Sequence, residues 1–192
     1  MASCWWRPLV LGLAAAALWA DLLSAQPVAE RVQLCGACHG EDGNSRMENI
    51  PSLAGQPEFF TLNQLFLMRE GVRQIEAMMP FVKDLKDDEV QALAAHHAKL
   101  EPKPSDEKID PALAARGADL AAQRRCGSCH KPDLSGDQQM PRLAKQRVDY
   151  LIHALKGYRD STRTGADTLM SASVAGLPDS DLAALAHHAA SR

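Results

Sequence analysis

The chain repeats itself. "CGACH" at residues 35–39 returns as "CGSCH" at 126–130, 91 positions later, and its surroundings return with it. "IPSLAGQPEFF" (50–60) parallels "MPRLAKQRVDY" (140–150) at an offset of 90. "MMPFVKDLKDDEVQALAAHH" (78–97) parallels "MSASVAGLPDSDLAALAHHA" (170–189) at 92, and "REGVR" (69–73) recurs more loosely as "RDSTR" (159–163). The order is kept and the offsets barely drift, which marks a duplicated module. Any fold must therefore be one that half of this 192-residue chain can build twice. Units that small usually need a metal, disulfides or a cofactor to complete their interior. Hydrophobic and charged fractions of 46% and 23% are ordinary for a soluble protein, but the aromatic fraction is only 5%. Something other than Phe and Trp must fill the two cores.

Residues 1–25 stand outside the repeat. They combine Arg7, an apolar run from Leu9 to Ala20 and the small pair Ser24-Ala25, the make-up of an export signal with cleavage after Ala25. Retention as an uncleaved anchor is the alternative, although 12 apolar residues are too few to span a bilayer. Loss of this segment removes Cys4 and leaves four cysteines, all in the two C-x-x-C-H motifs, with none for a structural disulfide. The expected organisation is a signal peptide (1–25), a first domain (26–100), a charged Pro-bearing linker "EPKPSDEKID" (101–110) and a second domain (111–192).

Each module reads as all-α. Asp110-Pro111 is a helix cap followed by proline at the first helical position, opening "PALAARGADLAAQRRC" toward the second cysteine pair. "PEFFTLNQLFLMRE" and "RVDYLIHALKGYRD" have helical apolar spacing. "DDEVQALAAHHAKL" and "DSDLAALAHHAA" are rich in Ala and Leu, with Asp87 and Asp179 as expected caps. No segment alternates as a strand does. The predicted order in each module is helix, cysteine turn, loop, middle helix, methionine loop and closing helix.

A C-x-x-C pair can be a redox dithiol, half of a zinc site or a haem attachment site. A histidine directly after the second cysteine selects the third. Two thiols bond the haem vinyl groups, and the adjacent imidazole falls beneath the iron. Cys35, Cys38, Cys126 and Cys129 are thus the expected covalent anchors of two haem c groups, with His39 and His130 as iron ligands. A thioether as sixth ligand raises the reduction potential into the range used for electron transfer. Met78 and Met170 align with each other, each seven residues before Leu85 or Leu177. Met79 faces Ser171, and Met47 and Met140 have no aligned methionine. A Cys4 zinc site or two dithiol centres would leave the trailing histidines and repeated methionines without a purpose.

These stretches together resemble the di-haem cytochromes c, most closely the cytochrome c4 family, over essentially the whole mature length. "CGACHGEDGNS", "IPSLAGQ" and "MMPFVKDLKDDEVQALAAHH" resemble its first domain; "CGSCH", "MPRLAKQ" and "MSASVAGLPDSDLAALA" resemble its second. The resemblance implies two tandem class I cytochrome c domains, each enclosing one covalent haem with His/Met ligation. It implies that the carbonyls of Pro51 and Pro141 hold the Nδ1–H groups of His39 and His130. It further implies electron carriage in the bacterial periplasm, commonly toward a terminal oxidase. Expected partners are redox proteins: a membrane terminal oxidase, a quinol-oxidising complex or a periplasmic dehydrogenase. Peripheral membrane association fits such partners, and no nucleic acid is expected. With both axial positions filled, such an iron is a carrier and not a catalyst; a di-haem peroxidase would need one iron to shed its methionine.

The chain departs from that pattern in places. His96, His97 and His188 stand where the family usually has aromatic residues, and Lys131 and Lys145 stand where the first module has Gly40 and Gly55. His96-His97 and His187-His188 are either spare iron ligands or half-exposed helix residues. Arg69, Arg73, Arg159 and Arg163 belong either to haem propionates or to solvated turns. Net charge is −4 over residues 26–100 and +3 over 111–192, which would orient partners during encounter.

Overall fold

The computed structural model describes residues 28–165 and 167–192; the expected signal peptide, Cys4 included, lies outside them. The first module comprises α1 (28–39), α2 (Glu58–Arg69), α3 (Met79–Val82) and α4 (Asp87–Lys99). The second comprises α5 (Pro111–Gln123), α6 (Gly127–His130), α7 (Val148–Arg159), α8 (Thr168–Val174) and α9 (Asp179–Ala190). No strand occurs among the described residues, where an isolated bridge joins Asp137 and Met140. No described helix is long and apolar enough to cross a membrane.

Helix α5 starts as its sequence dictates: Asp110 Oδ1 accepts from the N–H groups of Ala112 (2.8 Å) and Leu113 (3.1 Å), with Pro111 at the first position. The expected caps of the closing helices are otherwise. Asp87 and Asp179 are the first residues of α4 and α9, and neither caps its helix. Glu89 reaches back to accept the Lys86 N–H at 2.9 Å in α4, while Pro178 precedes α9 without a side-chain cap. The aspartates instead receive Arg69 (2.7 Å) and Arg159 (2.6 Å) from the ends of α2 and α7. The expected methionine loops also contain short helices. Asp167 caps α8 through Leu169 N and Met170 N, and Pro80 sits in the first turn of α3.

Two of the three apolar clusters are images of each other. In the first module Val82, Leu85, Val90 and Leu93 are buried, with Cys35, Leu65, Met78 and Met79 packed against them. In the second, Val174, Leu177, Leu182 and Leu185 are buried, with Cys126, Leu155 and Met170 packed against them. Aligned positions thus build the same aliphatic wall twice. A third cluster (Leu134, Val148, Leu151, Ala186 and neighbours) packs α7 against α9. At the crossing of α5 and α9, Gly117 lets the backbones approach: a Cβ there would lie 2.0 Å from Ala184 O.

Residues 101–110 carry no helix and are strapped down on both sides. Asn44 accepts Lys103 N–H (2.8 Å), and Lys103 Nζ reaches Asp42 (2.7 Å). Toward the second module, Arg147 bonds Asp106 (3.0 Å), and Glu107 accepts the N–H groups of Val148 (2.7 Å) and Asp149 (3.0 Å), closing the N-terminus of α7. The modules also touch directly: Gln74 N–H donates to Thr164 Oγ1 at 2.7 Å, and the "PSLAGQ" and "PRLAKQ" loops interlock.

Candidate haem sites

Each thiol pair follows or ends a helix. Cys35 and Cys38 lie within α1, which runs on to His39; Cys126 precedes the short helix α6, which holds Cys129 and ends at His130. No disulfide joins the four cysteines. In the polypeptide before haem attachment, burial pushes the Cys35 and Cys126 thiols above the ordinary range. Both histidines are buried at 7% exposure and anchored in the same way: His39 Nδ1 donates to Pro51 O at 2.8 Å, and His130 Nδ1 to Pro141 O at 2.9 Å. Burial lowers both imidazole pKa values, and the carbonyl contact offsets this in part. A neutral ring with Nδ1–H so committed presents Nε2 as a donor to a metal.

The aligned methionines pack with the first cysteine of each pair. Met78 lines an apolar pocket with Cys35, Leu65, Val82, Leu85 and Leu93, and Met170 packs on the matching cluster beside Cys126. Met79 joins the first cluster but does not line the pocket. Met47 is exposed, and Met140 is engaged in the bridge to Asp137. No three His, Cys, Asp or Glu side chains converge as a metal site among the described residues, so the four cysteines are not gathered for zinc.

The arginines divide into two pairs. Arg69 and Arg159 are clamps. Each donates to a backbone carbonyl, Leu85 O (3.1 Å) or Leu177 O (3.0 Å), and to an aspartate opening the closing helix. Arg73 and Arg163 instead converge on Gln64 and Tyr150 between the modules. Arg73 is 7% exposed, and its Nε has no hydrogen-bond partner. Two guanidinium groups meet there with no carboxylate in the cluster, an arrangement that fits the carboxylates of a haem. The closing-helix histidines have local tasks. His97 is buried, its Nδ1 donating to Leu93 O (2.8 Å) and its own carbonyl accepting from Gly55; His187 Nδ1 accepts the Asp110 N–H (3.1 Å).

The cytochrome c family model matches residues 114–191, and one described as cytochrome c oxidase, cbb3-type, subunit III matches 25–96. Cytochrome c4 of Pseudomonas aeruginosa is 34% identical over 169 residues, 82% of this chain and 83% of that protein. The chain belongs to the cytochrome c4 family. The crystal structure of reduced recombinant cytochrome c4 from Pseudomonas stutzeri superposes with a TM-score of 0.76 at 32% identity, covering 85% of this chain and 96% of that one. A protein of Thiomonas intermedia named thiosulfate dehydrogenase electron acceptor is 29% identical over 83% of this chain and 78% of its own length. As a cytochrome c4 family member the chain is a di-haem electron-transfer cytochrome of two tandem class I domains, with two covalently bound haem c groups.

Sequence reasoning missed what joins the two sites. Gln56 and Gln146, 5% and 2% exposed, each pair with the backbone of the opposite module. The only signal was that both repeat stretches end in glutamine, which says nothing of a partner across the duplication.

Proposed function

We propose that this cytochrome c4 family protein carries single electrons in the periplasm between respiratory partners, chiefly toward a terminal oxidase. Cys35 and Cys38 tether one haem and Cys126 and Cys129 the other, with His39 and Met78 closing the first iron and His130 and Met170 the second. One observation carries this reading. In both modules the first cysteine and the aligned methionine pack on one apolar cluster, and the histidine that ends the motif is buried and anchored through Nδ1. When bound, each haem supplies a reversible one-electron iron couple. The chain's part is to hold that couple rigid: carbonyls fix the imidazole rings, the aliphatic wall excludes water, and Met78 and Met170 would supply sulfur to the iron. An iron held by both a histidine and a methionine of the chain would have no open site for peroxide or oxygen, hence a carrier and not an enzyme. Arg73 and Arg163, with Tyr150, would hold the haem carboxylates between the modules.

A second reading is that the protein accepts electrons directly from a periplasmic dehydrogenase, which the relative named thiosulfate dehydrogenase electron acceptor favours. The ligand assignment is tested on the exported holoprotein through the near-infrared sulfur-to-iron band of the oxidised form. Met78→Ala and Met170→Ala each remove about half of that band and lower the midpoint potential of one haem. Met79→Ala leaves both unchanged. Potentials unmoved by either alanine would refute the assignment. Comparing reduction rates with a quinol-oxidising complex and with a thiosulfate dehydrogenase separates the two physiological readings.

A further inference from the structure

Each proximal histidine is wired to the opposite module through one peptide group. The peptide unit joining Pro51 to Ser52 carries the Pro51 carbonyl and the Ser52 N–H. Its carbonyl accepts His39 Nδ1–H at 2.8 Å, and its N–H donates to Gln146 Oε1 at 2.8 Å. The unit joining Pro141 to Arg142 repeats this with the modules exchanged. Pro141 O accepts His130 Nδ1–H at 2.9 Å, and Arg142 N–H donates to Gln56 Oε1 at 3.0 Å. Each glutamine also returns an Nε2–H to the next carbonyl, Ser52 O (2.9 Å) or Arg142 O (3.0 Å), which fixes the orientation of the side-chain amide. Gln146 Oε1 is shared with the Arg147 N–H at 3.0 Å. All four residues of these pairs are buried, Ser52 and Gln146 at 2%, Arg142 at 3% and Gln56 at 5% exposure.

We propose that Gln146 is a positioning residue for His39, and Gln56 for His130, so that each module sets the donor strength of the other module's axial histidine. The proposal rests on His39 and His130 being iron ligands. Its physics is that of a conjugated peptide group. Donation by the N–H moves electron density onto the carbonyl oxygen, and hydrogen bonds in such a chain strengthen one another by about 10–30% each. A richer carbonyl oxygen draws harder on Nδ1–H and makes the ring a stronger donor through Nε2. A stronger donor favours ferric iron, so each glutamine lowers the potential of the haem across the interface. Separating or rotating the modules would release both potentials upward together.

The test uses the ferrous holoprotein and nitrogen-15 NMR of the histidine rings. The wild-type protein first has to show ring-current-shifted Nδ1–H signals for both His39 and His130; their absence refutes the ligand reading itself. With those signals assigned, Gln146→Leu moves the His39 Nδ1–H signal upfield and raises the first haem's midpoint potential. The His130 signal and the second haem stay in place. Gln56→Leu does the converse. Folded variants that shift both histidines alike, or neither, would overturn the proposal.

Discussion

Lys131 follows His130 directly and holds φ 67° and ψ 157°, a region that residues with a side chain rarely enter. Its counterpart Gly40 takes φ 86° without penalty. Such strain costs about 1–3 kcal/mol, and the exposed ion pair of Lys131 with Asp137 (3.5 Å) offsets little of it. Lys131→Gly is therefore expected to raise holoprotein stability by about 1 kcal/mol net of glycine's larger entropy loss, read from the denaturation midpoint. Lys145 is milder, at φ 57° against 63° for Gly55, and its Nζ donates to Pro102 O at 3.2 Å. These lysines were visible in the sequence as departures, but only the backbone shows that the second module kept the glycine geometry. The two C-x-x-C-H motifs stood out because haem attachment asks for one short fixed spacing, and the roles proposed for their residues rest on it. The separate fates of Arg69 and Arg73 were not, because four residues along one turn point one guanidinium at its own closing helix and the other at the opposite module.

Among the elements, the middle helices fall almost where their apolar spacing put them and the closing helices where their Ala and Leu content did, and Asp110 caps α5 as its sequence requires. What the sequence could not show is who satisfies the remaining helix ends. The α7 N-terminus takes its cap from Glu107, some forty residues away in sequence, because the segment before α5 folds back across it. Helices α3 and α8 are too short to leave a periodic signal. Glu107→Ala is expected to cost about 1–2 kcal/mol, since two N–H groups lose a charged acceptor at a positive helix end, and urea melts check it. Gly117→Ala is the sharper probe of the α5–α9 crossing. The new methyl group would meet Ala184 O at 2.0 Å and His188 Cβ at 2.7 Å, and backbone cannot step aside cheaply. A loss of about 1–3 kcal/mol or more follows, although alanine is the better helix former. Gly157→Ala in α7, whose nearest contact would be Arg163 Cβ at 3.3 Å, is tight without overlap and serves as the milder comparison with a smaller loss.

Across the whole molecule, the charge difference between the modules overstates what a partner meets. Arg142 and Arg147 of the second module are buried, and Arg116, Lys156 and Arg159 are paired with aspartates. Arg124 and Arg125 remain exposed, without an ion pair among the described residues, immediately before Cys126. The first module has Gln33 and Leu34 at those positions, and Leu34 is 51% exposed. The approach to one cysteine pair is therefore cationic and the approach to the other uncharged and partly apolar, so the two edges suit different partners. A partner docking over Cys126 and Cys129 would present carboxylates, and attraction over a Debye length of about 10 Å at 0.1 M salt would speed its arrival. Replacing Arg124→Glu and Arg125→Glu together is expected to slow electron transfer with that partner about tenfold or more at low ionic strength, while leaving both midpoint potentials in place. Stopped-flow rates measured against ionic strength decide the cause. If steering is at work, wild type and variant converge as salt rises; a deficit that persists undiminished at high salt would mean that the arginines shape the docked contact itself and not the approach to it.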